Sequence, residues 1–405
     1  MNLKNVALTI LVGILLFLFI GIFKLRLIEI SRNLAAVFLH ESITVAQLKA
    51  KYNFSSGQKV RILIVPGHEP NYGGAEYQGV KERDLNVELA QDLAGDLRTD
   101  SHYQVIVSRD QNNWNPDLAA FFNTNASQIA DFINRHKEEM LRLINNGTVV
   151  KIVNGVEHNR ALPAVASRLY GLNLWADENQ IDLIIHIHFN DYPRRYPTTA
   201  GEYSGLAIYV PERQYSNSTT TRAVADSIYQ RLTKYNATSD LPQEDSGIIE
   251  EQNLIAIGSH NTLEAPSMLI EYGYIYEPQF VEADIKSIAL RDLAFQTYLG
   301  VQDFFSAGTI TAPIYDTVIL PHVWNNLLSK TAGDKKDILA LQTALAAQGL
   351  YPSPGKSKND CPRTGTFGSC TAAALRAFQV KYGITGETGQ VGPATQAKLN
   401  SLYSS

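Results

Sequence analysis

Apolar positions along the chain fall into short runs that alternate with helical stripes. Residues 61–65 (RILIV) form a β-branched run closed by Pro66-Gly67, the pattern of a buried strand entering a turn. Residues 84–97 space Leu85, Leu89, Leu93 and Leu97 four apart, which is one face of a helix. Residues 103–107 (YQVIV) form a second strand, and strand, helix, strand in that order predicts a parallel α/β sheet. Residues 127–144 read as a charged helix, 148–156 as a hairpin with Asn154-Gly155 at its turn or end, and 162–179 as a helix. The strongest strand pattern is 181–189 (IDLIIHIHF). Strands at 206–210 and 267–271 and helices at 221–235 and 285–305 complete the series. From residue 333 the pattern changes to three short helices, 337–348, 371–382 and 393–402. The last opens on Pro393, whose missing N–H costs little in a first turn.

One apolar run is of another kind. Residues 6–23 (VALTILVGILLFLFIGIF) carry no charge. A bilayer-spanning helix needs about 17–25 such residues, whereas the apolar core of a cleaved signal peptide has about 7–15. No small-x-small cleavage site follows Phe23, so an uncleaved transmembrane anchor is expected. Lys24, Arg26 and Arg32 follow the run and only Lys4 precedes it within its flank, a bias that alone would put the C-terminal side in the cytoplasm. Large domains translocate largely regardless of that bias. The expected division is an anchor at 1–30, a juxtamembrane linker at 31–58, an α/β domain at 59–306, a linker at 307–332 and a helical module at 333–403. The fold class is thus α/β, a mostly parallel twisted sheet flanked by helices, with a small all-α three-helix C-terminal domain and an N-terminal transmembrane helix.

Composition narrows the function classes. Of 405 residues, 45% are hydrophobic and 19% charged, a globular balance that excludes wholesale disorder. The net charge of −5 supplies no basic footprint for nucleic acid. Two cysteines, Cys361 and Cys370, are either inert thiols or a local disulfide, the latter suited to an exported protein.

Three polar residues stand at strand ends or the turns beyond them. His68 follows the first strand in VPGHEP, Glu82 opens the next helix in VKERDLN, and His188 lies near the end of the strongest strand in HIHFND. Ligands of open α/β sheets gather at the carboxyl ends of strands. Two imidazoles and a carboxylate are a catalytic zinc set that leaves a position open for water, where zinc acidifies that water and polarises a carbonyl. Glu271 ends the final strand in MLIEYGY. A lone carboxylate there is costly unless paired or functional, which makes it the candidate general base. Each residue also has a plainer reading: a hydrogen-bonded loop histidine, a glutamate suited to a helix N-terminus, a strand-end ion pair.

The order of these motifs resembles the zinc-dependent N-acetylmuramoyl-L-alanine amidases of the amidase type 3 family, over about residues 60–304. The family's PGH turn, E-x-D-L-N helix start, TR-x-x-D and S-x-H-x-N strand ends and E-x-G-F strand end appear here as Pro66-Gly67-His68, Glu82-Arg83-Asp84-Leu85-Asn86, Ser108-Arg109-Asp110, His186-Ile187-His188-Phe189-Asn190 and Glu271-Tyr272-Gly273-Tyr274. The resemblance implies that His68, Glu82 and His188 bind zinc and that Glu271 is the catalytic carboxylate. The implied reaction hydrolyses the amide between the muramyl lactyl group and L-alanine in peptidoglycan. There are departures. The usual DPGHGG reads VPGHEP, with glycines kept only later at Gly73, Gly74 and Gly79, and Asp110 follows Arg109 without a spacer. His186 replaces a small serine; two residues before His188 on a strand it shares a face with it, as a neighbour of the metal set rather than a ligand. Asn190, on that face too, is expected to orient a ligand or the substrate. Residues about 111–160 look inserted, and the helix within them is either a lid or a solvated surface helix.

Residues 333–403 resemble the small three-helix peptidoglycan-binding domain of wall hydrolases, through Phe367-Gly368 before Thr371 and Val391-Gly392-Pro393 before Thr395. Cys370 departs from the usual polar residue there. Two modules that name one polymer imply peptidoglycan as partner and no nucleic acid. They also imply an envelope location, anchored in the cytoplasmic membrane with the α/β domain outside. The competing reading is a catalytically silent wall-binding scaffold.

Overall fold

The computed structural model describes residues 42–53, 58–152, 156, 161–193, 195–306 and 315–404. The expected anchor at 6–23 lies outside them, and no helix among the described residues is long and apolar enough to cross a membrane.

The chain forms α1 (Val45–Asn53), β1 (Val60–Pro66), a small hairpin of β2 (Glu76–Tyr77) and β3 (Val80–Lys81), α2 (Glu82–Leu97) and β4 (Tyr103–Val107). Then come α3 (Pro116–Thr124), α4 (Ala126–Asn145), α5 (Pro163–Glu178), β5 (Leu183–Asn190), β6 (Ala207–Pro211) and α6 (Ser218–Tyr235). After β7 (Ile248–Glu251) and β8 (Ser267–Tyr274), α7 (Pro278–Val281) and α8 (Lys286–Ser306) close the domain. The main sheet has six strands in the order β4-β1-β5-β8-β6-β7. All neighbours are parallel except β6 and β8.

Successive strand residues point to opposite faces, and here both faces are covered. On one, Ile62, Ile64, Ile185, Ile187 and Ile270 meet Leu85, Leu89 and Leu93 of α2, Ile228 of α6 and Leu290 of α8. On the other, Leu63, Val65 and Ile184 meet Leu118 of α3 and Leu172 and Trp175 of α5. A strand buried on both sides reads as an unbroken apolar run, which is why β1 and β5 stand out in the sequence. Each such aliphatic side chain contributes about 1.5–3 kcal/mol by leaving water.

Some elements differ from expectation. No strand forms over 148–152, so the hairpin is corrected there. Side-chain amides replace a partner strand: Val150 N donates to Gln214 Oε1 at 2.8 Å, Gln214 Nε2 to Val150 O at 2.9 Å, and Ile152 N to Gln252 Oε1 at 2.9 Å. The turn expected at Asn154-Gly155 lies outside the described residues. Helix α3 was not expected, although Asn115 caps it by accepting from Asp117 N at 3.0 Å.

The C-terminal helices α9 (Lys335–Ala347), α10 (Ser369–Lys381) and α11 (Pro393–Tyr403) enclose Leu341, Leu345, Leu375, Phe378 and Leu399. Residues 315–332, expected as linker, join this core through Ile319, Leu320, Trp324 and Leu328, and Trp324 Nε1 donates to Asp337 O at 2.9 Å. Cys361 and Cys370 form a disulfide. Its loop carries Arg363 into the α/β domain, where Nη2 lies 3.0 Å from Asp292 Oδ2, with the two side chains 6% and 2% exposed. Arg363 Nε also donates to Tyr235 O at 3.2 Å, and Ile285 of the α/β domain is fully buried within the helical core.

Removing one partner of a buried ion pair costs about 3–5 kcal/mol, because the other charge stays buried. Arg363→Ala is therefore expected to lower the thermal midpoint by several degrees. Asp292→Ala/Arg363→Ala should recover part of the loss in calorimetry; equal midpoints for the single variant and the wild type would contradict this account of the junction.

Candidate metal centre

The turn after β1 brings the first donor into place. His68 has φ of 68°, the left-handed region that a non-glycine residue rarely adopts. Strain of this kind persists only where the surroundings hold it, and Arg109 is the holder. It is 2% exposed. Its Nε donates to Pro66 O at 3.0 Å, and its Nη2 donates to Gly67 O and, at 3.1 Å, to Arg83 O. Asn86 Nδ2 adds a contact to Gly67 O at 3.3 Å. Burial lowers the Arg109 pKa to about 10, a value at which the group stays cationic. A Cβ on Gly67 would overlap the imidazole of His188, and one on Gly74 would lie 2.9 Å from His68 Cδ2. Glycine is required at both places because the backbone passes against these side chains.

Glu82 begins α2, directly after the β2–β3 hairpin, and is 4% exposed. Its Oε1 lies 2.8 Å from His68 Nε2 and 3.0 Å from His188 Nδ1. The two imidazole centroids are 4.9 Å apart. One donor atom from each of the three residues lies within 4.8 Å of the others. The backbone holds the carboxylate as well: Ala75 N donates to Oε2 at 2.8 Å and Phe189 N to Oε1 at 3.2 Å. Burial pushes the Glu82 carboxyl up, but the two histidines outweigh it and hold the pKa well below the ordinary range. Burial also lowers the pKa of His188.

One of these approaches is a hydrogen bond, between His188 Nδ1 and Glu82 Oε1 at 3.0 Å, and the other is not. His68 Nε2 is buried and makes no hydrogen bond of acceptable geometry despite its approach to Glu82. The orphaned His68 Nε2 is the donor that a cation would satisfy, and a carboxylate with two imidazoles is a donor set that catalytic divalent-metal sites use.

Glu271 stands beside the set, since β5 and β8 pair His188 with Glu271 in register. Its Oε2 is sealed and makes no hydrogen bond. Burial first, and then the charges of Glu82 and Glu244, raise its pKa well above the usual carboxyl range. A carboxyl in this setting takes up a proton readily and holds it, which suits proton transfer.

The structure therefore brings His68, Glu82 and His188 together with Glu271 alongside. His186 is 1% exposed and outside the donor set; burial and then the His188 charge lower its pKa to about 3, and its Nε2 has no partner. Asn190 donates from Nδ2 to Glu244 Oε1 at 3.0 Å. Asp110 does not reach the centre and instead accepts from Asn112 N and Asn113 N, each at 2.7 Å.

Two contributors escaped the sequence reading. Glu69, one of the departures, is 6% exposed; it accepts from Arg168 Nε at 2.6 Å and Trp114 Nε1 at 3.1 Å, tying the His68 turn to α5. Its replacement of a glycine was the available signal. Glu244 gave none.

Outer partners of metal ligands are each worth about 10–100-fold in affinity. Arg109→Lys cannot reproduce the fork that holds Pro66, Gly67 and Arg83. It is expected to weaken divalent-metal binding by about that factor, read by competitive titration with a chelating dye; unchanged affinity would remove Arg109 from the support of the site.

Comparison with known proteins adds the following. Residues 62–302 match the family described as N-acetylmuramoyl-L-alanine amidase, and residues 334–399 match the putative peptidoglycan binding domain. A probable N-acetylmuramoyl-L-alanine amidase of Bacillus licheniformis is 41% identical over 80 residues, which is 20% of this chain and 20% of the relative's own length. Among solved structures, an N-acetylmuramoyl-L-alanine amidase from Clostridium difficile 630 is similar at 19% identity and a TM-score of 0.39, covering 62% of this chain and 98% of that one. The amidase Ami1 from Mycobacterium smegmatis is similar at 14% identity and a TM-score of 0.40, covering 61% of this chain and 97% of that one.

Proposed function

Because the chain belongs to the N-acetylmuramoyl-L-alanine amidase family, we propose that it hydrolyses the amide joining the muramyl lactyl group to L-alanine in peptidoglycan, using zinc held by His68, Glu82 and His188. The observation that carries this reading is the convergence of those three donors within 4.8 Å of one another, with the unpaired Glu271 carboxyl in register beside His188.

When bound, the metal supplies a Lewis acid that polarises the scissile carbonyl and acidifies water. The chain's own groups do the rest. Glu271, partly exposed and in register with His188, is the group placed to take the proton of the attacking water and return it to the departing nitrogen. Arg109 holds the His68 turn against relaxation, and Glu69 ties that turn to α5. The match of residues 334–399 to a peptidoglycan binding domain supports the same polymer as substrate. A cell-envelope location, with the apolar segment 6–23 as membrane anchor and the α/β domain outside, completes the reading.

Digestion of purified sacculi by the ectodomain, with and without 1,10-phenanthroline, tests it by mass spectrometry. The expected products are peptides with a free L-alanine amino terminus and uncut glycan, lost on chelation. New reducing sugar ends, or cleavage within the peptide, would contradict the assignment.

A further inference from the structure

Glu244 ends a short 3₁₀ turn (Pro242–Glu244) and is 0% exposed. Its Oε1 accepts from Asn190 Nδ2 at 3.0 Å and from the Tyr209 hydroxyl at 2.5 Å, and its Oε2 accepts from the Tyr274 hydroxyl at 3.3 Å. Among the described residues no basic side chain pairs with it. A carboxyl sealed from water is costly to keep unless it is well bonded and serves a purpose.

The purpose is visible in what the bond does to Asn190. An asparagine amide has a donating end and an accepting end. Here Nδ2 is the end turned to Glu244, donating to its Oε1, and Oδ1 is turned away. Asn190 is partly exposed, and no described residue donates to its Oδ1. It lies two residues beyond His188 on β5, past a register shift in the pairing with β8 that sets Asn190 opposite Tyr274. Tyr209 on β6 and Tyr274 on β8 are 1% and 0% exposed, so Glu244 is gripped from two further strands and cannot swing aside. The result is one fixed acceptor on the strand that carries His188.

We infer that Asn190 Oδ1 accepts a hydrogen bond from the substrate, from the N–H of the peptide bond that follows L-alanine, and that Glu244 is the positioning residue that locks the amide for this purpose. The inference rests on the amidase reading above. An extended stem peptide entering the site offers backbone N–H groups as its regular donors, and a neutral carbonyl oxygen recognises an N–H without demanding charge.

The test uses the zinc-loaded ectodomain and two soluble substrates, an N-acetylmuramoyl tripeptide and the same compound methylated on the nitrogen that follows L-alanine. Wild type is expected to lose about 3–10-fold in kcat/KM on methylation, the scale of one net hydrogen bond at a partly exposed site. Asn190→Ala should lose a similar factor on the parent substrate, mainly in KM, and little more on the methylated one. Glu244→Leu should show the same pattern, whereas Glu244→Gln, which keeps an acceptor for Asn190, should retain most discrimination. Zinc content should stay constant throughout. Equal losses on both substrates for Asn190→Ala, or no penalty for methylation in the wild type, would overturn the inference while leaving the amidase standing. Should Glu244→Leu not fold, the Asn190→Ala comparison still decides. If the wild type cleaves the lactyl amide of neither compound, the amidase reading itself fails, and the inference with it.

Discussion

Glu271→Gln should reduce kcat for release of peptide from sacculi by about 10²–10⁴-fold, the usual contribution of a positioned general acid–base group. The substitution keeps the shape of the side chain and removes only its ability to exchange a proton. Other effects should be small. Glu271 is outside the set of His68, Glu82 and His188, so zinc content should not change. Burial and the charges of Glu82 and Glu244 already disfavour its ionised form, and a neutral amide relieves that repulsion. The variant should thus melt no lower than the wild type. Turnover within tenfold of wild type would show that proton transfer runs through another group.

His188→Ala should remove metal and activity together. The change cuts three donors to two and leaves Glu82, 4% exposed, facing His68 alone. Loss of an outer partner alone costs about 10–100-fold in metal affinity, so loss of a ligand should exceed that. The expected observations are zinc depletion by elemental analysis, no release of peptide from sacculi, and an unchanged far-ultraviolet dichroism spectrum. The scaffold should survive because the ring closes the end of β5 and the apolar core lies below it. Stoichiometric zinc together with retained release would dismiss His188 as a ligand.

The strands that carry the centre were legible because they are buried on both faces. Residues in β1 and β5 have no solvent side, so their apolar runs have one interpretation. Strand β7 has only four residues, Ile248–Glu251, and pairs on one side alone, too little pattern to mark it. Residues 148–152 were misread because Val149 and Val150 favour a strand, whereas Val149 N donates to Leu143 O and Val150 bonds to the side chains of Gln214 and Gln252, partners about sixty and a hundred positions away. Trp324 was missed for a related reason, since the prolines around it hide any period while its contacts are with α9 and α11.

The three candidate donors were named from motif order, and the residues packed around them were less legible. Arg109 appeared as part of a partial motif, yet its task, bonding three carbonyls of two separate segments, is a property of the fold. Glu69 was noticed only as a misfit. Its value appears when Arg168 and Trp114 arrive from α5 and the loop before α3. Glu244 lies in an unremarkable polar stretch, and nothing local distinguishes it from a surface glutamate.

The Arg363–Asp292 pair bears on how far such an enzyme reaches. A module joined by slack chain sweeps out a sphere, and its partner samples every bond inside that radius. Here the guanidinium of one body is sunk into the other, and the intervening stretch is packed rather than slack from residue 315 onward. If, as proposed, the helical module grips the polymer and the α/β domain cuts it, the two acts are tied at this junction rather than left to range over every bond within a radius.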